Sequence, residues 1–149
     1  GLDVWCHLGL NPQLHARKGL QAASADRAIE LVEQAEMLEA AGAAFLVLEM
    51  VPAEVAGAVT ERLRIPTIGI GAGPHTDGQV LVIPDLLGMT MMKLKHARPY
   101  DNFHGRGVEA ISAFVDDVKK GNFPGSANYW NLPEAEREGF AARYVSMAK

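Results

Sequence analysis

The sequence predicts an α/β fold built from parallel strand–helix–strand units in a chain of 149 residues. Two observations support this fold class. Apolar stretches of strand length alternate with helical patterns along the chain, which is typical of right-handed parallel βαβ units. The stretch "AFLVLEM" shows no polar alternation before Glu49, as expected of a strand buried on both faces. A chain of this length is expected to form one core.

The first two elements are a strand and a helix. The segment "LDVWCHLGL" (residues 2–10) is apolar and compact enough for a buried strand, which "NPQ" ends. Residues 26–41 show a helical stripe, with Asp26 as the expected N-cap and Gly42 as the stop. The stripe consists of Ile29, Val32, Ala35 (or Glu36) and Leu38.

The later elements follow the same alternation. "AFLVLEM" (44–50) is the second strand, and Pro52 suits the first turn of a second helix, "AEVAGAVTERL". "TIGIGAG" and "QVLVI" are two further strand candidates, followed by a helix over residues 108–120. The tail from residue 131 is expected to form one more helix that packs on its own domain or on a neighbouring subunit.

Composition and charge limit the partners of the protein. The net charge is −4, and the basic residues are scattered, which argues against nucleic acid or a membrane as the main partner. One cysteine, Cys6, allows no internal disulfide, and we interpret it as an inert buried thiol. With no leader and no apolar run near ~18 residues, a cytoplasmic location is expected.

Three glycines in the third strand candidate are the first functional signal. Gly69, Gly71 and Gly73 alternate with Ile68, Ile70 and Ala72. In a strand the two sets point to opposite faces, so we expect the isoleucines to pack under helices and the bare face to leave a hollow for a ligand. A dinucleotide fingerprint fails because residue 74 is proline. A glycine-rich turn without a ligand stays an open alternative.

Glu49 and His7 are the candidate site side chains. Glu49 ends a buried strand, and low-dielectric surroundings favour a role in proton transfer. The alternative is a strand-end carboxylate paired with a loop Lys or Arg. His7 lies late in the first strand and could donate a hydrogen bond to a carboxylate or keto oxygen. A core histidine satisfied by the backbone is the alternative.

The remaining polar candidates have simpler interpretations. Four histidines lie in loop-like stretches without metal-ligand spacing, and we interpret most of them as surface residues: His15, His75, His96 and His104. Asp77 is expected to be a turn residue beside Gly78.

Three segments together closely resemble the ketopantoate hydroxymethyltransferase family: "CHLGLNPQ", "AGAAFLVLEMVPAEVAGAVTERLRIPTIGIGAG" and "TDGQVLVIPDLLGMT". The later "VDDVKKGNFPG" resembles the closing helix of that family. The resemblance covers most of residues 1–125, which we expect to form one part of the chain, with a helical extension over 126–149.

The resemblance implies a (β/α)8 TIM barrel of the phosphoenolpyruvate/pyruvate-binding type. It also implies transfer of a one-carbon unit from 5,10-methylenetetrahydrofolate to 3-methyl-2-oxobutanoate, giving ketopantoate for pantothenate and coenzyme A synthesis. Mg2+ would hold the keto acid, Glu49 falls on the family's general base, and His7 falls on a residue near the substrate. Gly69, Gly71 and Gly73 would shape the substrate pocket.

The resemblance covers only the C-terminal half of such a barrel, about four βα units, because a full barrel needs ~250 residues. The metal ligands are therefore expected outside this chain, in the N-terminal half. An open half-barrel would expose sheet edges and an apolar face. We accordingly expect either a fragment, a homo-oligomer or a complementing half-barrel.

Departures from the family pattern leave two further hypotheses open. The loop after "NPQ" is altered, Pro84 replaces a histidine of the family, and "MMKLKHARPY" replaces a Pro-Lys-Phe segment. The altered loop after Gln13 motivates a lyase of the same barrel superfamily acting on another 2-oxo acid. The absent metal ligands and the extra C-terminal helix motivate a non-catalytic half-barrel that serves as an assembly or regulatory subunit.

Overall fold

A computed structural model of the chain describes residues 1–13 and 19–147. The chain divides into two compact units, the first from Gly1 to His104 and the second from Gly105 onward. The first unit contains the sheet and all of the predicted site residues. The division predicted at residue 125 stays a prediction.

The first unit contains a four-stranded sheet in which every pairing is parallel. The strands lie in the order β1-β2-β3-β4. They are β1 Trp5–Gly9, β2 Phe45–Glu49, β3 Thr67–Ile70 and β4 Gly78–Gln79. Helices lie between the first three strands, so the predicted parallel α/β class is confirmed.

Five α-helices and one 3-10 turn complete the described structure. They are α1 Ala25–Ala40, α2 Ala53–Arg62, α3 Ile83–Leu86, α4 Phe103–Lys120, the 3-10 turn Ser126–Asn128 and α5 Glu134–Met147. The helix predicted over 108–120 therefore begins five residues earlier. None of the helices in the described ranges combines the length and the apolar content that crossing a bilayer requires.

Helix α1 begins one residue earlier than predicted because Ser24, and not Asp26, is its N-cap. The Ser24 hydroxyl accepts a hydrogen bond from the backbone N–H of Arg27 at 3.4 Å, which satisfies one of the free donors of the first turn. Within the helix Leu31 is buried, whereas Ile29 of the predicted stripe is 61% exposed. The rest of the predicted stripe is confirmed, because Ala35 is buried and Val32 and Leu38 pack against the core.

The core of the first unit lies between one face of the sheet and helices α1 and α2. Leu46 and Leu48 of β2 are fully buried, and they share one cluster with residues of both helices. The helix residues are Leu31, Ala35, Ala56 and Val59. Burying side chains of this kind contributes about 1.5–3 kcal/mol each for the larger ones.

The opposite face of the sheet is covered less completely. Phe45, Val47 and Glu49 alternate with the buried leucines and are only half-buried. Trp5 of β1 stacks on Phe45 with ring centroids 4.5 Å apart and remains 59% exposed. Within the described chain β2 is therefore buried on its helix-facing side, as predicted, and only half-buried on the opposite side.

The fourth strand is shorter than predicted. The segment "QVLVI" was expected to be a strand, but β4 ends at Gln79, and α3 begins at Ile83 with Pro84 in its first turn. The Val80 N–H still donates to the Gly69 carbonyl at 3.0 Å. Beyond this bond Val80 and Val82 are exposed, and Pro84 commits the backbone to a helical turn.

Candidate active site

Glu49 and His7 lie on the face of the sheet that points away from the helices. Gly9 of β1 pairs with Glu49 in register, and His7 pairs with Val47, two residues earlier. Residues that pair across parallel strands point to the same face, and so do residues two apart in one strand. His7 and Glu49 are therefore diagonal neighbours, and the His7 Nε2 lies 3.4 Å from the Glu49 Oε2.

The Glu49 carboxylate is sheltered but not closed off. Its side chain is 20% exposed, against 38% for His7. The strand end supplies a rigid support, and the imidazole touches one carboxylate oxygen. Within the described residues the charged or titratable side chain that contacts Glu49 is His7 rather than a loop Lys or Arg. This arrangement suits an acceptor for a substrate proton, because a general base needs fixed geometry and an open approach.

The predicted orientation of the glycine strand is wrong. Register pairs Leu48 with Gly69 and Glu49 with Ile70. Since Leu48 faces the helices, Gly69 also faces them, and Ile70 lies on the side of Glu49. The isoleucines therefore line the site face, which is the reverse of the expectation. Burial agrees, because Gly69 is buried and Ile70 is only half-buried.

The three glycines do not form one bare strand face, as we had expected. The strand ends at Ile70, so Gly71 and Gly73 lie in the following loop, with φ of 63° and 78°. A Cβ on Gly69 would meet the Thr76 Oγ1 at 2.7 Å, and one on Gly71 would meet the Met50 Sδ at 2.9 Å. A Cβ on Gly73 would overlap Ala53. The missing Cβ atoms therefore allow close packing at all three positions and left-handed backbone at Gly71 and Gly73.

A groove does open beside two of these glycines. Gly71 and Gly73 line an open groove of about 670 Å³ at the carboxyl end of β3. Met50, Lys95 and His96 line it as well. Our sequence reasoning missed Lys95 and assigned His96 to the surface. The signal that could have found them is the basic run "KLKH", placed where the chain departs from the family pattern.

Met50 joins the groove to the candidate base, because it directly follows Glu49. Its φ of 51° is left-handed, which is uncommon outside glycine and is maintained only when neighbours fix it. Two hydrogen bonds do so: the Met50 N–H donates to the Ile70 carbonyl at 2.9 Å, and its carbonyl accepts from the Gln21 N–H at 2.7 Å. The ends of β2 and β3 are thus connected at this residue.

Asp77 has a larger role than the turn residue we predicted. Its Oδ2 accepts hydrogen bonds from the Thr67 backbone N–H at 2.8 Å and from the Thr67 hydroxyl at 3.1 Å. Thr67 is completely buried, and its hydroxyl lies 2.8 Å from that of Thr60 in α2. These bonds tie the loop after Gly73 to the start of β3 and so hold the groove in shape.

The described residues do not by themselves supply a set of metal ligands. In ranges 1–13 and 19–147 no three of the His, Cys, Asp and Glu side chains come together in a way that could hold a metal ion. Glu49 and His7 together provide only two candidate ligands, and only one of them is an oxygen ligand. A hard divalent cation such as Mg2+ prefers six oxygen ligands. We therefore derive no chemical step through a metal. His15 lies outside the described residues.

The fold and the site together define a parallel α/β protein with a candidate active site at the carboxyl end of its sheet. A carboxylate at the carboxyl end of a parallel strand, with a groove in the adjoining loops, is where enzymes with parallel sheets place their chemistry. A sequence profile described as ketopantoate hydroxymethyltransferase matches residues 1–126. The chain belongs to this family, which confirms the resemblance inferred from the sequence motifs.

Individual relatives agree with the family profile. The chain is similar to proteins named 3-methyl-2-oxobutanoate hydroxymethyltransferase from Methylobacterium sp. (strain 4-46), at 47% identity over 140 residues, and from Pyrococcus abyssi, at 43% over 139 residues. A third, from Roseiflexus sp. (strain RS-1), is 46% identical over 140 residues. The matches cover 91% of this chain and 49–50% of those proteins. The chain thus spans about half their length.

Proposed function

We propose that the intact protein carrying this chain transfers a hydroxymethyl group from 5,10-methylenetetrahydrofolate to 3-methyl-2-oxobutanoate, giving ketopantoate. The position of Glu49 carries the proposal. Its carboxylate ends a strand, contacts His7 at 3.4 Å and is 20% exposed on the face opposite the helices. Membership of the family supports the reaction class.

The proposed reaction begins with removal of a proton from a carbon atom of the substrate. The C3–H of 3-methyl-2-oxobutanoate is acidic because its carbanion is stabilised as the enolate of the adjacent keto group. Glu49 accepts this proton, and the enolate carbon then forms the new bond to the methylene carbon of the folate. Both bonds from that carbon to the folate nitrogens break, water supplies the hydroxyl group, and tetrahydrofolate leaves. A fixed base close to the C–H contributes about 10²–10⁴-fold to such a step.

His7 has two compatible tasks in this scheme. Its Nε2 orients the Glu49 carboxylate through the contact at 3.4 Å. Its side chain is 38% exposed on the same face, so it is also within reach of a substrate carboxylate or keto oxygen. Gly69 faces the helices, so we assign it to strand packing. Gly71 and Gly73 belong to the loop that borders the site.

Mg2+ and the remainder of the fold belong to the same proposal. We infer that the parallel sheet is one half of a (β/α)8 barrel and that any Mg2+ is bound by residues outside this chain. The uncovered face of β1 and β2 supports the barrel, since in a closed barrel that face is filled by interior side chains.

The test is proton exchange at C3 of 3-methyl-2-oxobutanoate in D2O, followed by NMR, without the folate. Glu49→Gln in the intact protein is expected to slow exchange by about 10²–10⁴-fold, because it removes the base and keeps the shape of the side chain. Glu54→Gln is the matched control, since Glu54 lies in the exposed first turn of α2.

Turnover with the folate completes the experiment. Glu49→Gln is expected to lose ketopantoate formation in parallel with proton exchange, whereas Glu54→Gln retains both. Unchanged exchange in Glu49→Gln would remove the assignment of the base. Exchange that depends on Glu49 without any ketopantoate formation would instead indicate another reaction of a 2-oxo acid.

A further inference from the structure

Gly9 ends β1 directly beside the candidate base. It pairs in register with Glu49, and its φ of 95° lies in the left-handed region. A Cβ built on Gly9 would overlap the carbonyl oxygen of Glu49 and would lie 2.9 Å from the Val51 Cγ1. Val51 is buried in the core, so it leaves no room for the added atom. The close approach of the Glu49 backbone therefore requires glycine at residue 9.

The peptide unit between Glu49 and Met50 is held from both sides. Its carbonyl, which belongs to Glu49, accepts a hydrogen bond from the Leu10 N–H at 2.8 Å. Its N–H, which belongs to Met50, donates to the Ile70 carbonyl at 2.9 Å. Rotation of this peptide plane would break a bond on each side and leave backbone groups unpaired, which costs free energy. The peptide unit is consequently fixed between the ends of β1 and β3.

The direction of the Glu49 carboxylate depends on this fixed peptide unit. The side chain is attached to the same α-carbon as the carbonyl, and the preceding Leu48 is fully buried. A group that pushes on the carbonyl cannot be relieved by rotation of the peptide, so it displaces the α-carbon and the carboxylate together. The contact between the carboxylate and His7 at 3.4 Å changes with it. A displacement of about 1 Å at a reacting group can slow a reaction about 10²-fold.

We propose that Gly9 is a positioning residue for the base Glu49. Its missing side chain lets the Glu49 carbonyl lie on the backbone of residues 9 and 10, and this contact directs the carboxylate towards the C3–H of the substrate. The role rests on the proposed function, in which Glu49 accepts that proton. Gly9 acts through Glu49 and not on the substrate, so it affects the rate of proton transfer and not the binding of the 2-oxo acid.

The test is Gly9→Ala in the intact protein, with Gly42→Ala as the matched control. Gly42 follows α1 and has a φ of 97°, nearly that of Gly9. A Cβ on Gly42 would meet nothing within 4 Å among the described residues. Both variants therefore place an alanine in the same left-handed backbone conformation. Only Gly9→Ala also pushes on the Glu49 carbonyl.

Proton exchange at C3 of 3-methyl-2-oxobutanoate in D2O separates the two variants. For Gly9→Ala, kcat is expected to fall about tenfold or more while KM stays within about twofold of wild type, because the base is misplaced and binding is not. For Gly42→Ala, kcat and KM are both expected to remain as in wild type. Rates are expressed per folded protein, with the folded fraction measured by circular dichroism, so a loss of stability does not imitate the effect.

A second variant adds no atom at residue 9. Replacement of the Leu10 amide by an ester removes the N–H that donates to the Glu49 carbonyl and keeps every side chain. Exchange is expected to slow at least about threefold with KM retained, because the carbonyl is then held from one side only. This variant decides the question if Gly9→Ala does not fold.

Three results would overturn the positioning role: equal kcat in Gly9→Ala and Gly42→Ala, a loss in Gly9→Ala that lies entirely in KM, or wild-type exchange in the ester variant. Glu49→Gln, measured in parallel, separates this failure from that of the proposed function. Slow exchange in Glu49→Gln alone leaves the base assigned and removes only the role of Gly9. Unchanged exchange in Glu49→Gln removes the proposed function itself.

Discussion

At the scale of single residues, the contact between His7 and Glu49 depends on the register of two strands. Sequence placed each residue late in an apolar stretch, which was sufficient to name both as candidates. It could not place them together, because their separation depends on Gly9 pairing with Glu49. A shift of one residue would turn His7 to the helix side. The 3.4 Å contact is thus a property of the sheet.

Glu39 is a second residue whose role appears only in the folded chain. Its Oε1 accepts hydrogen bonds from the backbone N–H of Arg64 at 2.6 Å and of Ile65 at 3.0 Å. These bonds, that of Arg64 first, hold the pKa of Glu39 below its usual 4.5, although partial burial acts in the opposite direction. The carboxylate thereby fastens the end of α1 to the segment that leads into β3.

The pKa of Glu39 leads to a prediction about stability and pH. Because the pKa is lower in the folded than in the unfolded chain, this contribution is fully present above about pH 4.5 and is lost as the pH falls through the folded value. Glu39→Gln is expected to lower the free energy of unfolding at pH 7 and to flatten its decline below pH 4.5. Urea denaturation from pH 3 to pH 7 measures both effects.

Glu33→Gln is the matched control for this experiment, because Glu33 lies on the same helix with its side chain exposed. Its stability is expected to follow the wild type across the whole pH range. Identical pH profiles for Glu39→Gln and wild type would contradict the role of the carboxylate in joining α1 to β3.

At the scale of elements, two glycines differ in whether the structure around them requires glycine. Gly73 has φ of 78° and lies against Ala53 at the start of α2. Gly107 lies within α4, and a Cβ there would meet nothing within 4 Å among the described residues. One glycine is required by the tertiary structure, whereas the other only weakens its helix.

Alanine substitutions therefore have opposite expected effects at these two sites. Gly73→Ala is expected to destabilise the first unit by about 2 kcal/mol or more, from a left-handed backbone and overlap with Ala53. Gly107→Ala is expected to stabilise α4 by about 0.5–1 kcal/mol. Native-state hydrogen exchange of peptides from α2 and α4 measures each effect locally. Faster exchange in α4 of Gly107→Ala would contradict the assignment.

The length of β4 shows where an element depends on its neighbours. The sequence "QVLVI" is β-branched and apolar, so it was predicted as a strand. In the described chain the ladder with β3 stops after Gln79, apart from the Val80 N–H bond to Gly69. No described strand pairs with residues 80–82 on the other side. A strand needs a partner for its backbone groups, which local sequence cannot supply.

At the scale of the whole molecule, the face that carries Glu49 also carries apolar surface. Trp5 is 59% exposed, and Phe45, Val47, Ile68 and Ile70 are half-buried. Exposed apolar patches of this kind mark surfaces that contact other protein. Under the proposed barrel this surface is the interior, covered by the other half of the structure.

The proposed closure predicts a change in the accessibility of Trp5. In hydroxyl-radical footprinting followed by mass spectrometry, Trp5 of the isolated chain is expected to oxidise readily. In the intact protein we expect its oxidation to fall at least about tenfold, because an interior barrel residue is shielded from solvent. Equal oxidation of Trp5 in the two samples would contradict closure of the barrel over this face.

The sequence alone determined the class of fold, the family and the two candidate side chains. Alternation of apolar strands and amphipathic helices is a local property, and so is a motif such as "FLVLE". The sequence also placed the ends of most elements within a few residues. Its error at the start of α1 concerns capping, where neighbouring polar residues compete for the same free N–H groups. At the start of α4 the N–H groups of Phe103 and His104 donate to the carbonyls of Leu87 and Gly88, which local sequence does not show.

Only the tertiary structure decided which face each strand presents and what fills the space beside the glycines. Strand periodicity places Gly69 and Ile70 on opposite faces of the sheet, but it does not determine which of them faces the helices. That choice depends on α1 and α2 packing against Leu46 and Leu48, which are far from β3 in sequence. The groove with Lys95 and His96 likewise needs a loop brought to Gly71 from 24 residues further along the chain. Contacts between distant segments decide such features, because local sequence cannot fix the packing partners of a side chain.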